Sequence, residues 1–594
     1  MPARISSPAQ KLQSPAQDTA FLFFSNAPCL MDSFRKKNKD RVMSRLSEML
    51  ISRRELIAAS GLAAASAALV SGCAKRTLSL IETATAVRKK DKVPTVVIGS
   101  GLGALTAAAY LAKSGFPVTV VERQPVPGGY ATSFDRGGGR FTFDVSLHMV
   151  SARGSATEKV LNELGLKEKV ELVKLPGLCR IIAGNMDLRL PQENPKGCAA
   201  AFTACFPDEE KGIVQFIDEI VGAAEDVDRL KARMSLLDKI LFPFRYPFLA
   251  KTYNATLSDM VNKHISNPKL KSLLCAFWSY YGLPPSKLSG FYYSVATGQY
   301  IRGGACCYKP RSFALSLALS ELIEQHGGRT IFNQEVDKIL LTKNEVSGVR
   351  LFGGEIIPVR AVISGAGVPS TFYRLLPKNA VSSGYRSRLQ ALKPSMSSFV
   401  VWLGLNRDVR NQIKDYEVFL LGEDDSEAAY LAQLKCDASR ADVAVTFFDN
   451  AFDGYSTQGT STMSIMFVSG YEPWKRFEED YFKGEKRAYN LEKGRVAQIL
   501  LDRAEKSLVP GLASMIEVME VGTPLTNIRY TKNSGGAIYG YEQAMDNSFT
   551  RRIENRTPIK GLYLASAWSF PGGGFSGVHT GGRKAFQNLL EDFG

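Results

Sequence analysis

Residues 95–122 constrain the fold more than any other stretch. Thr95-Val96-Val97-Ile98 is a short β-rich run of the kind that forms a strand buried inside a parallel sheet. It leads directly into Gly99-Ser100-Gly101-Leu102-Gly103-Ala104. Residues 105–113 are Ala-rich and helical in pattern, and Val118-Thr119-Val120-Val121 reads as a second buried strand ending at Glu122. A lone glycine string is weak evidence. Here it lies between strand and helix, and the acid follows at about the expected interval. Gly99 allows a tight turn, Gly101 lets bare main chain approach a diphosphate, and Ala104, where a third glycine often stands, still permits close helix packing. The helix N-terminus offers unpaired N–H groups and the positive end of its dipole to phosphate. Glu122 is set to accept hydrogen bonds from ribose hydroxyls. Gly99, Gly101, Gly103, Ala104 and Glu122 are thus the first candidate cofactor residues, and the expected class is α/β with a Rossmann-type domain.

The next segment bears on which dinucleotide is bound. Glu122-Arg123-Gln124-Pro125-Val126-Pro127-Gly128-Gly129 sets two glycines just after the acid. This resembles the second diphosphate-contacting loop of the large flavoprotein group that holds amine oxidases and phytoene desaturases, and an NAD enzyme has no need of it. The resemblance implies FAD and adds Arg123, Gly128 and Gly129 to the set. Four further stretches, "LLCAFWSYYGLPPSKLS" at 273–289, "RTIFNQEV" at 329–336, TPLT (523–526) with GGAIYG (535–540), and GLYLAS (561–566) leading to PGGGFSGV (571–578), extend the likeness. Together they make residues 94–594 similar to the carotenoid and retinoid oxidoreductase family of phytoene desaturases, carotenoid isomerases and retinol saturases. The family resemblance implies main-chain contact with adenine at Val336 and a closing flavin motif at Gly573, Gly574, Phe575 and Val578. It also implies hydride exchange at flavin N5 with a long apolar, isoprenoid-type substrate.

Departures from the family pattern exist. Lys309-Pro310-Arg311-Ser312 replaces a Lys-Gly-Gly-Ser type loop, and Ala567 stands where many relatives carry an acid or another small residue. Arg311 with Arg529 could clamp a carboxylate, which keeps a flavin amine or amino-acid oxidase open as an alternative. A non-redox lipid-binding escort on the same fold is the alternative from another class. Of the four histidines, His148, His264, His326 and His579, only His148 and His579 fall in flavin-side motifs. His148 is the candidate proton donor or substrate-hydroxyl contact, and His579 is read as structural. Trp568, Phe570 and Phe575 could shape an apolar slot.

The FAD-binding domain is expected to be discontinuous, from 94–160, 300–372 and 545–594, with a mixed-sheet substrate domain from 161–299 and 373–544. Strand-like runs at 398–405, 418–421, 443–448 and 463–468 would roof the site, and 493–506 reads as an amphipathic helix. Pro243 and Pro247 forbid one straight helix over 236–250. That aromatic segment could lie at a membrane surface, with Lys239 and Arg245 toward phosphates, or form a lid.

Charge matters for the first 93 residues. The chain carries a net +16, but residues 1–95 hold 16 Lys/Arg against 7 Asp/Glu, and the remainder shows no basic stripe interleaved with aromatics, so nucleic acid is not an expected partner. Ser52-Arg53-Arg54-Glu55-Leu56-Ile57, the 15-residue apolar run that follows, and Val70-Ser71-Gly72-Cys73 resemble a twin-arginine signal with a lipobox. They predict export of the folded protein to the cell envelope, with a lipid anchor at Cys73 and residues 74–93 as a basic tether. Residues 1–42 precede this leader, with Met43 or Met49 as alternative starts. The expected partners are an apolar lipid-like substrate, a membrane surface and an electron acceptor, quinone or oxygen. No metal site is expected; none of the nine cysteines forms a CxxC pair, the adjacent Cys306 and Cys307 are poorly placed to bridge each other, and those other than Cys73 are read as buried thiols.

Overall fold

The computed structural model describes residues 92–594 except 147, 152, 153, 231–234, 236, 237 and 239, and omits the side chain of Thr550. The leader, with its arginine pair and Cys73, lies outside the described residues, as does Lys239. A five-stranded sheet forms the nucleotide side. Its order is Arg329–Ile331, β2 (Val118–Val121), β1 (Thr95–Ile98), Ala361–Ser364 and Leu562–Leu564, and every pairing is parallel. β1 is buried at all four positions, which is why it reads as an unbroken apolar run. Between β1 and β2 runs α1 (Leu102–Lys113). It packs on the helices Ser312–Gln325 and Phe575–Phe593. Glycine permits this close approach: a Cβ on Gly103 would stand 2.7 Å from the Ala565 carbonyl oxygen, and one on Gly582 would overlap the Gly103 carbonyl.

The second layer is a seven-stranded mixed sheet. Its order is Ile516–Gly522, Ser397–Leu405, Ser461–Ser469, Val443–Phe447, Glu417–Leu420, Cys179–Ala183 and Met186–Leu190. All pairings are antiparallel except that between Glu417–Leu420 and Cys179–Ala183. The four strand-like runs expected from sequence all lie in this sheet. Both of its faces are covered, and period-2 alternation divides its side chains between two cores. Phe399, Val401, Leu403 and Ile465 join one cluster with Trp474 and Leu500, whereas Val400, Trp402, Phe419, Ala444 and Met466 join the core that faces the cavity. Each such Val, Leu or Phe gains about 1.5–3 kcal/mol on full burial. A charge at Leu403, which is fully buried, would therefore break the sheet's outer face.

The hairpin of Ser133–Arg136 and Phe141–Asp144 joins the two layers. Asp144 is its knot. The carboxylate accepts from Ser133, from the Ser312 hydroxyl and from the Tyr455 phenol, and the Asp144 carbonyl accepts from Trp402 Nε1 at 3.0 Å. Burial pushes the Asp144 carboxyl upward in spite of these donors.

Some boundaries differ from expectation. The amphipathic helix spans Arg487–Ser507, longer at its N-terminus than 493–506. Within the expected segment 300–372, Glu345–Leu351 pairs with Val336–Thr342 and Ile356–Pro358 in a three-stranded antiparallel sheet separate from the parallel one. The helix Gly290–Gly303 runs across the division drawn at 299/300. The proline pair acts as expected, giving two short helices, Phe242–Arg245 and Pro247–Thr252, each with proline in its first turn. Among the described residues no helix is long and apolar enough to cross a membrane. Six described cysteines are buried free thiols, and the exception to the sequence reading is Cys205, which is exposed.

Candidate functional site

The parallel sheet sets the turn after β1 and the turn before the closing helix, Phe575–Phe593, on one cavity wall. The cavity measures about 960 Å³ and is shared by both layers. Gly99 (φ +83°), Gly128 (φ +116°) and Gly129 (φ +60°) adopt backbone that side chains disfavour. The Gly128 N–H donates to the Ser100 carbonyl at 2.8 Å, which holds the two glycine loops side by side. A Cβ built on Gly101 meets nothing within 4 Å, and the same is true of Gly574 (φ +80°). The space in front of these two residues is therefore free of protein. Both helices that start there, α1 and Phe575–Phe593, lack a side-chain cap and an acidic residue in the first turn. Their first N–H groups have no intrahelical partner and face the region with the positive dipole end. That is the donor set a diphosphate requires.

Glu122 closes one end of the cradle. It is 7% exposed, and its carboxylate accepts from the Ser100 N–H and hydroxyl and from the Gln124 N–H, each at 2.7 Å. A carboxylate has about four lone-pair sites, so one remains for a ribose hydroxyl. The residues present thus fit a bound dinucleotide.

Gly99, Gly101, Gly103, Glu122, Arg123, Gly128, Gly129, Val336, Gly573, Gly574, Phe575 and Val578 all line this cavity. Arg123 is turned aside, its guanidinium donating to the main-chain carbonyls of Arg529 and Tyr530. Ala104 lies behind the wall, fully buried, where a Cβ on Gly365 would come within 2.7 Å of its methyl. Its small side chain serves strand–helix packing rather than the cavity surface.

Beyond the cradle the cavity wall becomes aromatic. Tyr280 and Tyr281 come from the short helix Trp278–Tyr281; Tyr292 and Tyr300 come from one face of Gly290–Gly303; Trp402 and Met466 come from the seven-stranded sheet. Burial holds the Tyr280, Tyr281 and Tyr292 phenols above their ordinary range, so all stay neutral. Sequence reasoning missed Tyr292, Tyr300, Trp402 and Met466. The spacing of Tyr292, Ala296 and Tyr300 along a helix was the available signal for part of this set.

His148 lines this aromatic part. His579 does not. It is fully buried, hydrogen-bonded through Nδ1 to Thr106 Oγ1 at 2.8 Å, and burial lowers its imidazole to about 3, so it is neutral and structural. Trp568 and Phe575 line the cavity, whereas Phe570 does not and packs instead against the lining residue Phe549. The carboxylate clamp is not assembled. Arg311 donates to the Gly454 carbonyl and lies over the Tyr455 ring, and Arg529 lies over Tyr530; neither faces the cavity. Arg245 pairs with Asp238 rather than standing free for lipid phosphate. Among the described residues no cluster of His, Cys, Asp or Glu has metal-binding geometry.

Comparison with known proteins agrees with this geometry. A family model described as an NAD(P)-binding Rossmann-like domain matches residues 97–164. An all-trans-retinol 13,14-reductase from Danio rerio is 26% identical over 530 residues, covering 84% of this chain and 86% of the relative. A chloroplastic prolycopene isomerase from Daucus carota is 26% identical over 517 residues, covering 84% and 80%. Among solved structures, an oxidoreductase from Methanosarcina mazei is 18% identical, with a TM-score of 0.55 and coverage of 84% of this chain and 100% of the other. Wild-type putrescine oxidase bound to putrescine is 13% identical, with a TM-score of 0.57 and coverage of 84% and 98%. The chain is thus a homologue of the retinol reductases and prolycopene isomerases over most of its length. The expected family resemblance, the fold class and the reading as an FAD-type oxidoreductase are borne out.

Proposed function

We propose that this homologue of retinol reductases and carotenoid isomerases is an FAD-dependent oxidoreductase acting on an apolar isoprenoid, of retinoid or carotenoid type. One observation carries the reading. A single cavity joins a glycine cradle with two uncapped helix N-termini to an aromatic slot that holds no arginine clamp. When bound, the flavin supplies a two-electron acceptor or donor for hydride. The chain's own residues do the rest. Gly99, Gly101, Gly128 and Gly574 give the diphosphate main-chain room, and Glu122 offers an acceptor to ribose. Tyr281, Tyr292, Tyr300 and Trp402 align an elongated apolar molecule and exclude water, so that positioning replaces polar grip.

Removal of Arg311 and Arg529 from the cavity weakens the amine and amino-acid oxidase alternative. The free space at Gly101 weakens the non-redox escort. Anaerobic mixing of the flavin-loaded protein with retinoids, carotenoids and amines separates these readings. Bleaching of the flavin by a polyene or retinoid supports the proposal, bleaching by amines alone overturns it, and a protein that takes up no FAD is an escort.

The same reading extends to the cell. Folded export by the twin-arginine route suits an enzyme that loads its cofactor before crossing, and lipidation of Cys73 would hold it at the envelope membrane, where apolar substrates dissolve. Support comes from the segment after residue 239. Ile240 and Phe244 are 64% and 82% exposed. Beside them, Phe242, Tyr246 and Leu249 belong to an apolar cluster that also contains Phe291, Val295 and Phe549, and these last three line the cavity. An apolar surface continuous with the slot is a route for a lipid substrate. Quinone and oxygen are the candidate electron acceptors.

A further inference from the structure

The seven-stranded sheet carries an acid where its neighbours are apolar. Glu417 opens the strand Glu417–Leu420, all four residues of which are buried, and its side chain is 0% exposed. The register sets it directly opposite Thr446. Thr446 Oγ1 donates to Glu417 Oε2 at 2.8 Å and the Tyr280 phenol donates to Oε1 at 2.6 Å. His148 Nδ1 lies 2.7 Å from Thr446 Oγ1 and 3.3 Å from Glu417 Oε1. Among the described residues His148 is the only basic group in an ion-pair contact with Glu417. The other titratable groups that feel this carboxylate are Cys179, Tyr280, Tyr300 and Tyr416. None of them is a cation.

Hydrogen counting fixes the imidazole. A threonine hydroxyl has one proton, and here Glu417 takes it. Thr446 Oγ1 must then accept from His148, so Nδ1 carries the hydrogen. This leaves Nε2 as the exchangeable nitrogen, 3.0 Å from Met466 Sδ on the wall that His148, Tyr280 and Met466 share. A carboxylate removed from water is costly without a counter-charge. The Nδ1–H, held between Thr446 Oγ1 and Glu417 Oε1, is the donor this carboxylate faces from His148, and it fixes the ring so that Nε2 stands beside the aromatic slot.

We propose that His148 is the catalytic proton donor and acceptor for the substrate in this slot, with Glu417 as its positioning residue and Thr446 and Tyr280 as the hydrogen-bonded frame. The inference rests on the oxidoreductase reading. In desaturation, one substrate carbon loses a hydride, with two electrons, to the oxidised flavin dinucleotide. The adjacent carbon loses a proton to His148 Nε2, and its C–H electron pair becomes the π bond. Saturation is the reverse: hydride from the reduced dinucleotide, and the proton from the His148 imidazolium.

The test uses the full chain loaded with FAD and the isoprenoid that bleaches it. His148→Ala is expected to retain flavin and to bind substrate within about threefold of wild type. It should bleach at least about 100-fold more slowly and recover part of the rate with added imidazole. Glu417→Gln is expected to slow bleaching at least about tenfold without weakening substrate binding. In ¹⁵N spectra of histidine-labelled protein Glu417→Gln should move the His148 nitrogens while those of His264, His326 and His579 stay. Should His148→Ala not fold, His148→Gln, whose amide can still reach Thr446, takes its place. Wild-type bleaching rates in the His148 variant, or a loss that follows substrate affinity alone, overturn the proposal. An unmoved His148 spectrum in Glu417→Gln overturns the pairing. The spectra need no turnover, so if no isoprenoid bleaches the wild type, the oxidoreductase reading fails and the pairing is still tested.

Discussion

Gly101 and Gly103 stand two residues apart in one motif, yet the structure gives them different tasks, and substitution should separate these. Gly101 has φ −61° and ψ 156°, which any residue can adopt, and a Cβ there meets no protein atom within 4 Å. Gly101→Ala gains about 0.4–1 kcal/mol by restricting the unfolded chain. It gives back about 0.5–1 kcal/mol because alanine caps a helix less well than glycine. The fold should be unchanged to within about 0.5 kcal/mol. Cofactor binding should not be. The new methyl occupies the space that the diphosphate needs and separates it from the helix N–H groups. Two charge-assisted hydrogen bonds lost at about 1.5–3 kcal/mol each weaken FAD by at least about 100-fold, at about 1.4 kcal/mol per factor of ten. Gly101→Val should be worse. Gly103→Ala should do the reverse, since its Cβ would press on the Ala565 carbonyl at 2.7 Å, and overpacking of this kind costs about 1–3 kcal/mol of fold stability. Flavin fluorescence quenching gives the affinity, and denaturant unfolding of the FAD-free protein gives the stability. Wild-type FAD affinity in Gly101→Ala would refute the reasoning.

Three further outcomes are expected. Arg53→Lys with Arg54→Lys should leave the protein in the cytoplasm on cell fractionation; unchanged export contradicts the twin-arginine reading. Ile240→Ser with Phe244→Ser removes two exposed apolar side chains, each worth up to about 1.5–3 kcal/mol when buried. Vesicle co-sedimentation should fall by at least tenfold with no change in stability, and unchanged sedimentation excludes this surface from membrane contact. His579 is lowered by burial to about 3, so as pH falls below about 6.5 the unfolded chain takes up a proton that the folded one refuses, and stability drops. Between pH 7 and 5 this costs about 2 kcal/mol. His579→Asn, whose amide can still donate to Thr106, should lose about 2 kcal/mol less over that interval; parallel denaturant curves would contradict the assignment.

The nucleotide half is legible in sequence because its signals are local. A strand, a glycine turn, a helix and an acid follow one another within 95–122, and the structure keeps that order in space. The aromatic slot is only partly legible, because its side chains come from two helices and from strands that sequence separation hides. Glu417 and Thr446 meet through cross-strand register, and His148 reaches Thr446 across 298 residues of chain. The acid at the head of "EVFL" was the one local sign, a charge opening an otherwise apolar strand. Arg311 misled for a related reason. Its position beside the family loop is a fact of sequence, but its direction is set by the Gly454 carbonyl and the Tyr455 ring, which only the fold brings near.

The account depends on a flavin dinucleotide lying against main chain where β1 turns into α1. A high-resolution structure of the FAD-loaded protein tests this directly. It should show the two phosphates against the amides of residues 99–103 and 128–129, with the isoalloxazine ring toward Tyr280 and Trp402. A cradle filled by protein side chains, or FAD bound elsewhere, would contradict it.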